Sequence, residues 1–421
     1  MSRAPKGMPA FTVIWVGQLV SMMGSATSGF ALSLWVYQET GSVARFGVSL
    51  ICGFLPGIVA APLAGVVIDR WNRRTVLLAA DGAAGLAMGG VVLAYTLGDL
   101  QVWQVYAFQA VASLCAAFQW PALTAAISAL VPRQHLGRAN GLIGTGQAIA
   151  ELSAPLLGAV LLSGPGLGAV VVMDFASFGC AVLTLAVVRI PDVPAERETA
   201  RSLGHEIALG WRYILARRGL LGLLVFFAIC NFATGGVTVL VTPLVLSVAP
   251  VTTLGLIGTI GGAGMLAGGL LMSIWGGGSA RRVPLIVVAA AAGGGLLVAA
   301  GAWPGVVVFG VVSFAYFLCI PVVNASSQTI WQVKVEPALQ GRVFSARRMI
   351  AQSCVPIAYL LIGALAETGA GRAAFLLSCL GVLMIAAAGA AYANPRVRRV
   401  ESELSDAARQ DVAQERVDGS V

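Results

Sequence analysis

The sequence predicts an all-α integral membrane protein with twelve transmembrane helices in two pseudo-symmetric six-helix halves. Three observations carry this. The chain of 421 residues is 58% apolar and 10% charged, with mean hydropathy +0.88, more apolar surface than a soluble fold of that length can bury. Its apolar residues gather into twelve runs long enough to cross hydrocarbon, which takes about 20 residues because a helix satisfies its own backbone. Landmarks of the first six runs also recur in the last six at a nearly constant offset.

Span 1 covers 11–37 and follows Arg3 and Lys6 as a signal peptide would, yet it is too long for a cleaved apolar region and holds Gln18 and Ser21, so it is read as retained. Span 2, 46–68, runs into a charged decapeptide from Gly65 to Arg74. Span 3, 75–97, carries Asp81, and span 4, 102–131, carries Pro121. Span 5, 140–163, holds Glu151 and Pro155, and span 6, 167–188, holds Asp174. The second half gives 219–247, 254–275, 284–303, 305–333 with Pro321, 343–366 with Pro356, and 373–393. An outer-membrane barrel would instead show alternating segments of about ten residues.

The internal repeat rests on three features in one order. Pro121 and Pro321 are 200 apart, Pro155 and Pro356 are 201 apart, and Pro132 with Gly137-Arg138 answers Pro337 with Gly341-Arg342 at about 205. The domains are therefore 1–188, a six-helix half; 189–218, a central cytoplasmic linker; 219–393, the second half; and 394–421, a cytoplasmic tail. Within the linker, Leu203, Ile207, Trp211 and Ile214 lie opposite Glu206, Arg212 and Arg217. That stripe fits a helix in the inner membrane interface, or one packed on the bundle. The tail mixes five arginines with six carboxylates, the composition of a solvated, partly disordered end.

With a cytoplasmic N-terminus, 24 of the 26 Lys and Arg fall inside, leaving Arg45 and Arg372 outside. Both termini are thus expected in the cytoplasm of a bacterial inner-membrane protein. This asymmetry accounts for the net charge of +8, so an anionic leaflet rather than a nucleic acid is the expected neighbour. All seven cysteines fall in spans without a CxxC pair, and His135 and His205 sit in loops. No metal or cofactor constellation can be assembled from them, and no clustered catalytic groups suggest an enzyme.

The decapeptide, with Gly65, Asp69-Arg70 and Arg73-Arg74, matches at every position the signature loop of the major facilitator superfamily, which the chain resembles. The resemblance implies twelve helices, alternating access and a loop acting as a conformational latch, with Asp69 facing the start of span 11. Its counterpart between spans 8 and 9 keeps only Arg281-Arg282. Gln18 with Ser21 to Gly29, Leu55-Pro56, Phe118-Gln-Trp-Pro121, Asp174-Phe-Ala-Ser177-Phe178 and Gly341-Arg342-Val343-Phe344 are similar to the bacterial macrolide and enterobactin exporter branch. That implies export of a small, often amphipathic molecule by a proton antiporter. An importer or facilitator and a transport-inactive scaffold remain alternatives. Partners expected are the small-molecule substrate, protons and the bilayer, with the chain acting as a monomer. Exporters often carry a Gly-Pro-x-x-Gly-Gly motif in span 5 that seals the halves against leak; here Ala154, Pro155, Gly158 and Ala159 stand in its place.

Intramembrane charges are costly unless paired or used. Glu151, about 18 Å from the cytoplasmic end at a helical rise of about 1.5 Å per residue, is the first candidate for proton coupling, ahead of Asp81 and Asp174. Desolvation favours a neutral carboxylate, which could gain and release a proton as a cavity opens. Span 4 lacks the buried arginine of many drug-proton antiporters and offers Gln104 and Gln109 instead. The family architecture places spans 1, 4, 7 and 10 around the substrate path, where Gln18, Ser21, Gln119, Trp120, Asn231, Asn324 and Gln328 stand beside Phe227 and Phe232. Amides and aromatics with no fixed cation suit neutral or cationic amphipathic molecules.

Overall fold

The computed structural model describes residues 7–132, 135–188, 203–275, 282–367 and 369–401. The described residues are helical throughout, without a strand. The first seven helices are α1 (Met8–Thr40), α2 (Val43–Cys52), α3 (Leu55–Arg70), α4 (Arg73–Thr96), α5 (Val102–Leu130), α6 (Leu136–Ser163) and α7 (Leu167–Val187). After them come α8 (Leu203–Ala216), α9 (Arg218–Leu246), α10 (Val251–Trp275), α11 (Arg282–Ala302), α12 (Val306–Lys334), α13 (Pro337–Leu365), α14 (Ala370–Ala393) and α15 (Pro395–Arg398). Eleven stretches are long and apolar enough to cross a membrane. The 29-residue α5 is as long but carries Gln104, Gln109 and Gln119.

Two compact units emerge, one of residues 1–198 with 249–259, the other of 199–248 with 260–421. The first turns of α10 therefore pack with the first unit, a division the sequence repeat does not show. Pro121, Pro155, Pro321 and Pro356 all lie inside their helices. In a membrane a proline interior to a helix is tolerated because neighbouring groups satisfy the freed carbonyl.

In the first unit α1 packs on α6 and α7, α4 on α5 and α7, and α3 on α5. Close approach is set by small residues, since helices in lipid gain from packing rather than from leaving water. A Cβ on Gly24 would overlap Ser177 and Asp174 of α7, and one on Gly85 would lie 3.1 Å from Phe178.

Span 2 is expected as one helix and is two. The α2 helix ends at Cys52, and α3 restarts at Leu55 with Pro56 in its first turn, where a missing N–H is no loss. The first donors of α3 need partners outside the helix. The Gly57 N–H finds one, donating to Ser113 Oγ of α5 at 3.0 Å. One turn earlier on α5, Gln109 Nε2 donates to Ser33 and Ser49 at 3.1 and 2.8 Å, so α5 holds the break from the side.

In the second unit α11 packs on α12 and α14, and α9 on α13 and α14. Gly294 of α11 meets Gly381 of α14, each close to the other's carbonyl oxygen, so this crossing is backbone on backbone. The described part of the linker helix packs on the bundle: Ile214 is fully buried, Tyr213 donates to the Lys334 carbonyl at 3.2 Å, and a Cβ on Gly210 would lie 2.6 Å from the Arg342 carbonyl oxygen. The inward face is thus Gly210, Tyr213 and Ile214. The side chains of Leu203, Glu206 and Ile207 lie outside the described residues, as do the linker before 203 and the tail after 401. The C-terminal turn docks at the same end. Val397 and Val400 are buried, Lys334 Nζ donates to the Glu401 carbonyl at 3.2 Å, and the Val283 N–H of α11 donates to Glu401 Oε1 at 3.0 Å.

Candidate functional site

Asp81 sits on α4 with no exposed surface. Each carboxylate oxygen accepts one amide N–H: Gln18 Nε2 of α1 lies 2.8 Å from Oδ2, and Gln119 Nε2 of α5 lies 2.6 Å from Oδ1. Helical spacing explains the convergence, because α4 and α5 pack directly and α1 contacts α5. No basic side chain among the described residues joins the cluster. A carboxylate held by two neutral amides is oriented without being neutralised, and both N–H donors match its ionised form.

Asp174 of α7 is equally buried but differently held. Its oxygens accept from Ser28 and Ser25 of α1, the latter at 3.3 Å, and from Ser177 at 3.1 Å. Three hydroxyls from two packed helices make this a strut between α1 and α7.

Glu151, the first coupling candidate from sequence, is not buried. Its side chain is exposed on α6, where it accepts from Gln147 Nε2, a turn earlier, at 3.1 Å. Depth along a helix axis is legible in a sequence, whereas the direction a side chain takes from that axis is set by packing.

The charged loop is described in part. Asn72 caps α4, its Oδ1 accepting from the N–H groups of Arg74 and Thr75 at 2.9 and 3.4 Å. Arg74 turns to the end of α7: Nε donates to the Leu185 carbonyl at 2.9 Å and Nη2 to the Ala186 carbonyl at 3.0 Å. Arg74 thus caps a helix within its own unit. Arg73 is half-buried. The side-chain surroundings of Gly65, Asp69 and Arg70, and with them the approach of Asp69 to span 11, lie outside the described residues.

The span 5 motif faces two neighbours. A Cβ on Gly158 would lie 2.7 Å from Phe30 of α1. Ala154 is buried, and Pro155 and Ala159 meet the start of α10, where a Cβ on Gly255 would lie 2.5 Å from Ala159 Cβ and 2.7 Å from the Pro155 oxygen.

The expected substrate residues divide. Gln18 and Gln119 are engaged by Asp81, and Ser21, one turn after Gln18 on α1, is buried. Trp120 and Asn324 are exposed, and Asn231 Nδ2 donates to the Phe227 carbonyl at 2.9 Å. Gln328 accepts from Arg347, a residue not among the expected substrate contacts. Its signal was available: a charge one turn inside an apolar run. An apolar cavity of about 430 Å³ has Trp211, Leu224, Phe232, Ile350 and Cys354 in its wall, so of the expected substrate-path residues it takes in Phe232.

Buried carboxylates on membrane-length helices, amide partners on α1 and α5, and a capped charged loop after α3 define a polytopic membrane transporter. Residues 14–358 match the model of the Major Facilitator Superfamily, and the chain belongs to that family. It is 29% identical over 395 residues to macrolide efflux protein A of Streptococcus pyogenes, covering 89% of this chain and 94% of that one. It is 26% identical over 221 residues to the enterobactin exporter EntS of Shigella flexneri, covering 52% and 53%. Among solved structures, the nucleoside transporter NupG superposes with TM-score 0.68 at 14% identity over 90% of this chain and 98% of that one. A bacterial homologue of the iron transporter ferroportin gives 0.68 at 16%, over 90% and 99%. At those identities the likeness is one of fold.

Proposed function

We propose that the chain exports a small amphipathic molecule across the bacterial inner membrane by alternating access in exchange for protons, and that Asp81 carries the coupling proton. Export is supported by the named functions of the relatives, of which macrolide efflux protein A aligns over 89% of the chain. The single observation behind the coupling assignment is the clasp of Asp81 between Gln18 and Gln119. Both glutamines sit on helices that the family resemblance assigns to the substrate path.

The chemistry links proton to path. Ionised Asp81 accepts from both amides. Once protonated, one oxygen becomes a donor, and the amide facing it must turn its carbonyl inward or withdraw. Proton arrival thereby changes a contact made by α1 or α5, and proton loss restores it. Asp174, surrounded by hydroxyls that can donate or accept, absorbs either protonation state without such a rearrangement and serves as structure. The loop from Gly65 to Arg74 acts as the conformational latch, with Arg74 anchoring it to α7.

The test is transport in proteoliposomes carrying an imposed pH gradient, run in parallel with a macrolide and with an amphipathic aryl carboxylate as probe. Asp81→Asn should bind the probe but lose its uphill movement, while Glu151→Gln and Asp174→Asn should keep it. Gradient-driven accumulation by the Asp81→Asn protein would remove Asp81 from the coupling role. Gradient-insensitive movement by the wild type would remove proton exchange altogether.

A further inference from the structure

Arg347 lies on α13, one turn inside the apolar stretch that begins at Arg342. Its guanidinium is held on two sides by neutral groups: Nη1 donates to Gln328 Oε1 at 2.8 Å, and Nη2 donates to Ser327 Oγ at 3.0 Å. Ser327 has no exposed surface. The guanidinium carbon sits 5.1 Å from the centre of the Trp331 ring and 5.8 Å from that of Phe227. No carboxylate among the described residues joins the group. Beside it, the fully buried Trp331 keeps an indole N–H with no acceptor, and Ser326 keeps an unpartnered hydroxyl. Arg348, the next residue, is exposed, and its Nε donates to Gln352.

Amides and a hydroxyl orient a guanidinium but do not cancel its charge. Arg347 is half-buried, and a cation even partly withdrawn from water without a counter-charge is costly, more so in a membrane. A guanidinium has five N–H donors, of which two are taken here. The rest remain in the fork geometry that takes a carboxylate bidentately. Two aromatic rings flank the charge, so the ligand that completes it brings an apolar body with its acceptor.

We propose that Arg347 is an anion subsite of the transporter, and that it receives the single negative charge of an amphipathic cargo against Phe227 and Trp331. This replaces the expectation of a substrate region without a fixed cation, and it rests on the export reading only in calling the ligand cargo. The indole N–H of Trp331 supplies a further donor to the same acceptor or to a water bound with it.

Binding rather than transport tests the site, so its failure is distinct from failure of the export or coupling assignments. The full-length protein in lipid nanodiscs is titrated with 1-naphthoate and with 1-naphthamide, which share a ring system and differ in charge. Wild type should prefer the naphthoate by about tenfold or more, the worth of one charge-assisted pair. Arg347→Gln should abolish the preference, and Arg347→Lys should reduce it while keeping its sign. Arg348→Gln should leave it unchanged. Equal binding of the two probes by wild type, or an unaltered preference in a monodisperse Arg347→Gln protein, overturns the proposal. A second arm compares discs of phosphatidylcholine with discs of phosphatidylglycerol. The preference should persist in both; its loss in phosphatidylglycerol would identify the bound anion as a lipid headgroup and refute the assignment to cargo. A double-mutant cycle with Asp69→Asn supplies the last control: full coupling of the two substitutions in ligand-free protein would make Arg347 a latch partner instead.

Discussion

Arg74 directs its charge at the carbonyl end of α7, where two orphan carbonyls and the negative end of the helix dipole favour a cation. Arg74→Gln should lower the unfolding free energy by about 1 to 2 kcal/mol, seen as a lower thermal midpoint with the helical signal at room temperature unchanged. Ser28→Ala strips one donor from the buried Asp174 carboxylate, and should cost about 1 to 3 kcal/mol in the same assay. At this scale the sequence shows the carboxylates and hides their partners. A charge inside an apolar run announces itself in Asp81 and Asp174. Nothing in the chain announces that Gln18, 63 residues upstream of Asp81, and Gln119, 38 residues downstream, close on it. Glutamine in a membrane helix has many uses, and only packing selects one. Glu151 shows the converse, since its depth can be counted but its exposure cannot.

The membrane-length helices follow from apolar length, so their order is legible, and most of their ends fall within a few residues of the expected ones. The break in span 2 is less so, because Gly53-Phe-Leu-Pro56 lies in an unbroken apolar run where proline is tolerated. The span 5 motif offers a sharper case. Ala154, Pro155 and Gly158 are visible as small residues, but the surface they serve depends on Gly255 and Gly258 of α10, a hundred residues away. Gly255→Ala would set its Cβ against Ala159 Cβ and the Pro155 carbonyl, neither of which can swing aside. The expected outcome is separation of α6 from the start of α10 and an uncoupled proton leak. Passive acidification of proteoliposomes measures it, and leak equal to wild type would show that the contact does not seal.

At the scale of the whole chain, the second unit is closed at one end by two segments that flank the bundle in sequence. The linker helix α8 reaches the Lys334 carbonyl through Tyr213, and the C-terminal turn reaches the Lys334 ammonium through the Glu401 carbonyl. A chain ending at Asn394 would lose buried Val397 and Val400 together with the Glu401 cap on α11. It should be less stable by about 2 to 5 kcal/mol, read as a lower midpoint in denaturant or heat; an unchanged midpoint would mean the turn is ornamental. The amphipathic stripe in the linker was legible, whereas its choice of protein over lipid as neighbour was not, because both offer an apolar surface. The break between α2 and α3 also sets an order of events during synthesis. The Gly57 amide is satisfied by Ser113 of α5, and α5 leaves the ribosome only after α4 has been made. Until then the broken span holds a bare backbone donor that hydrocarbon penalises. The first three crossings should therefore stay beside the insertion channel, in contact with water or its lining, and pass into lipid only as a group once the fourth has arrived.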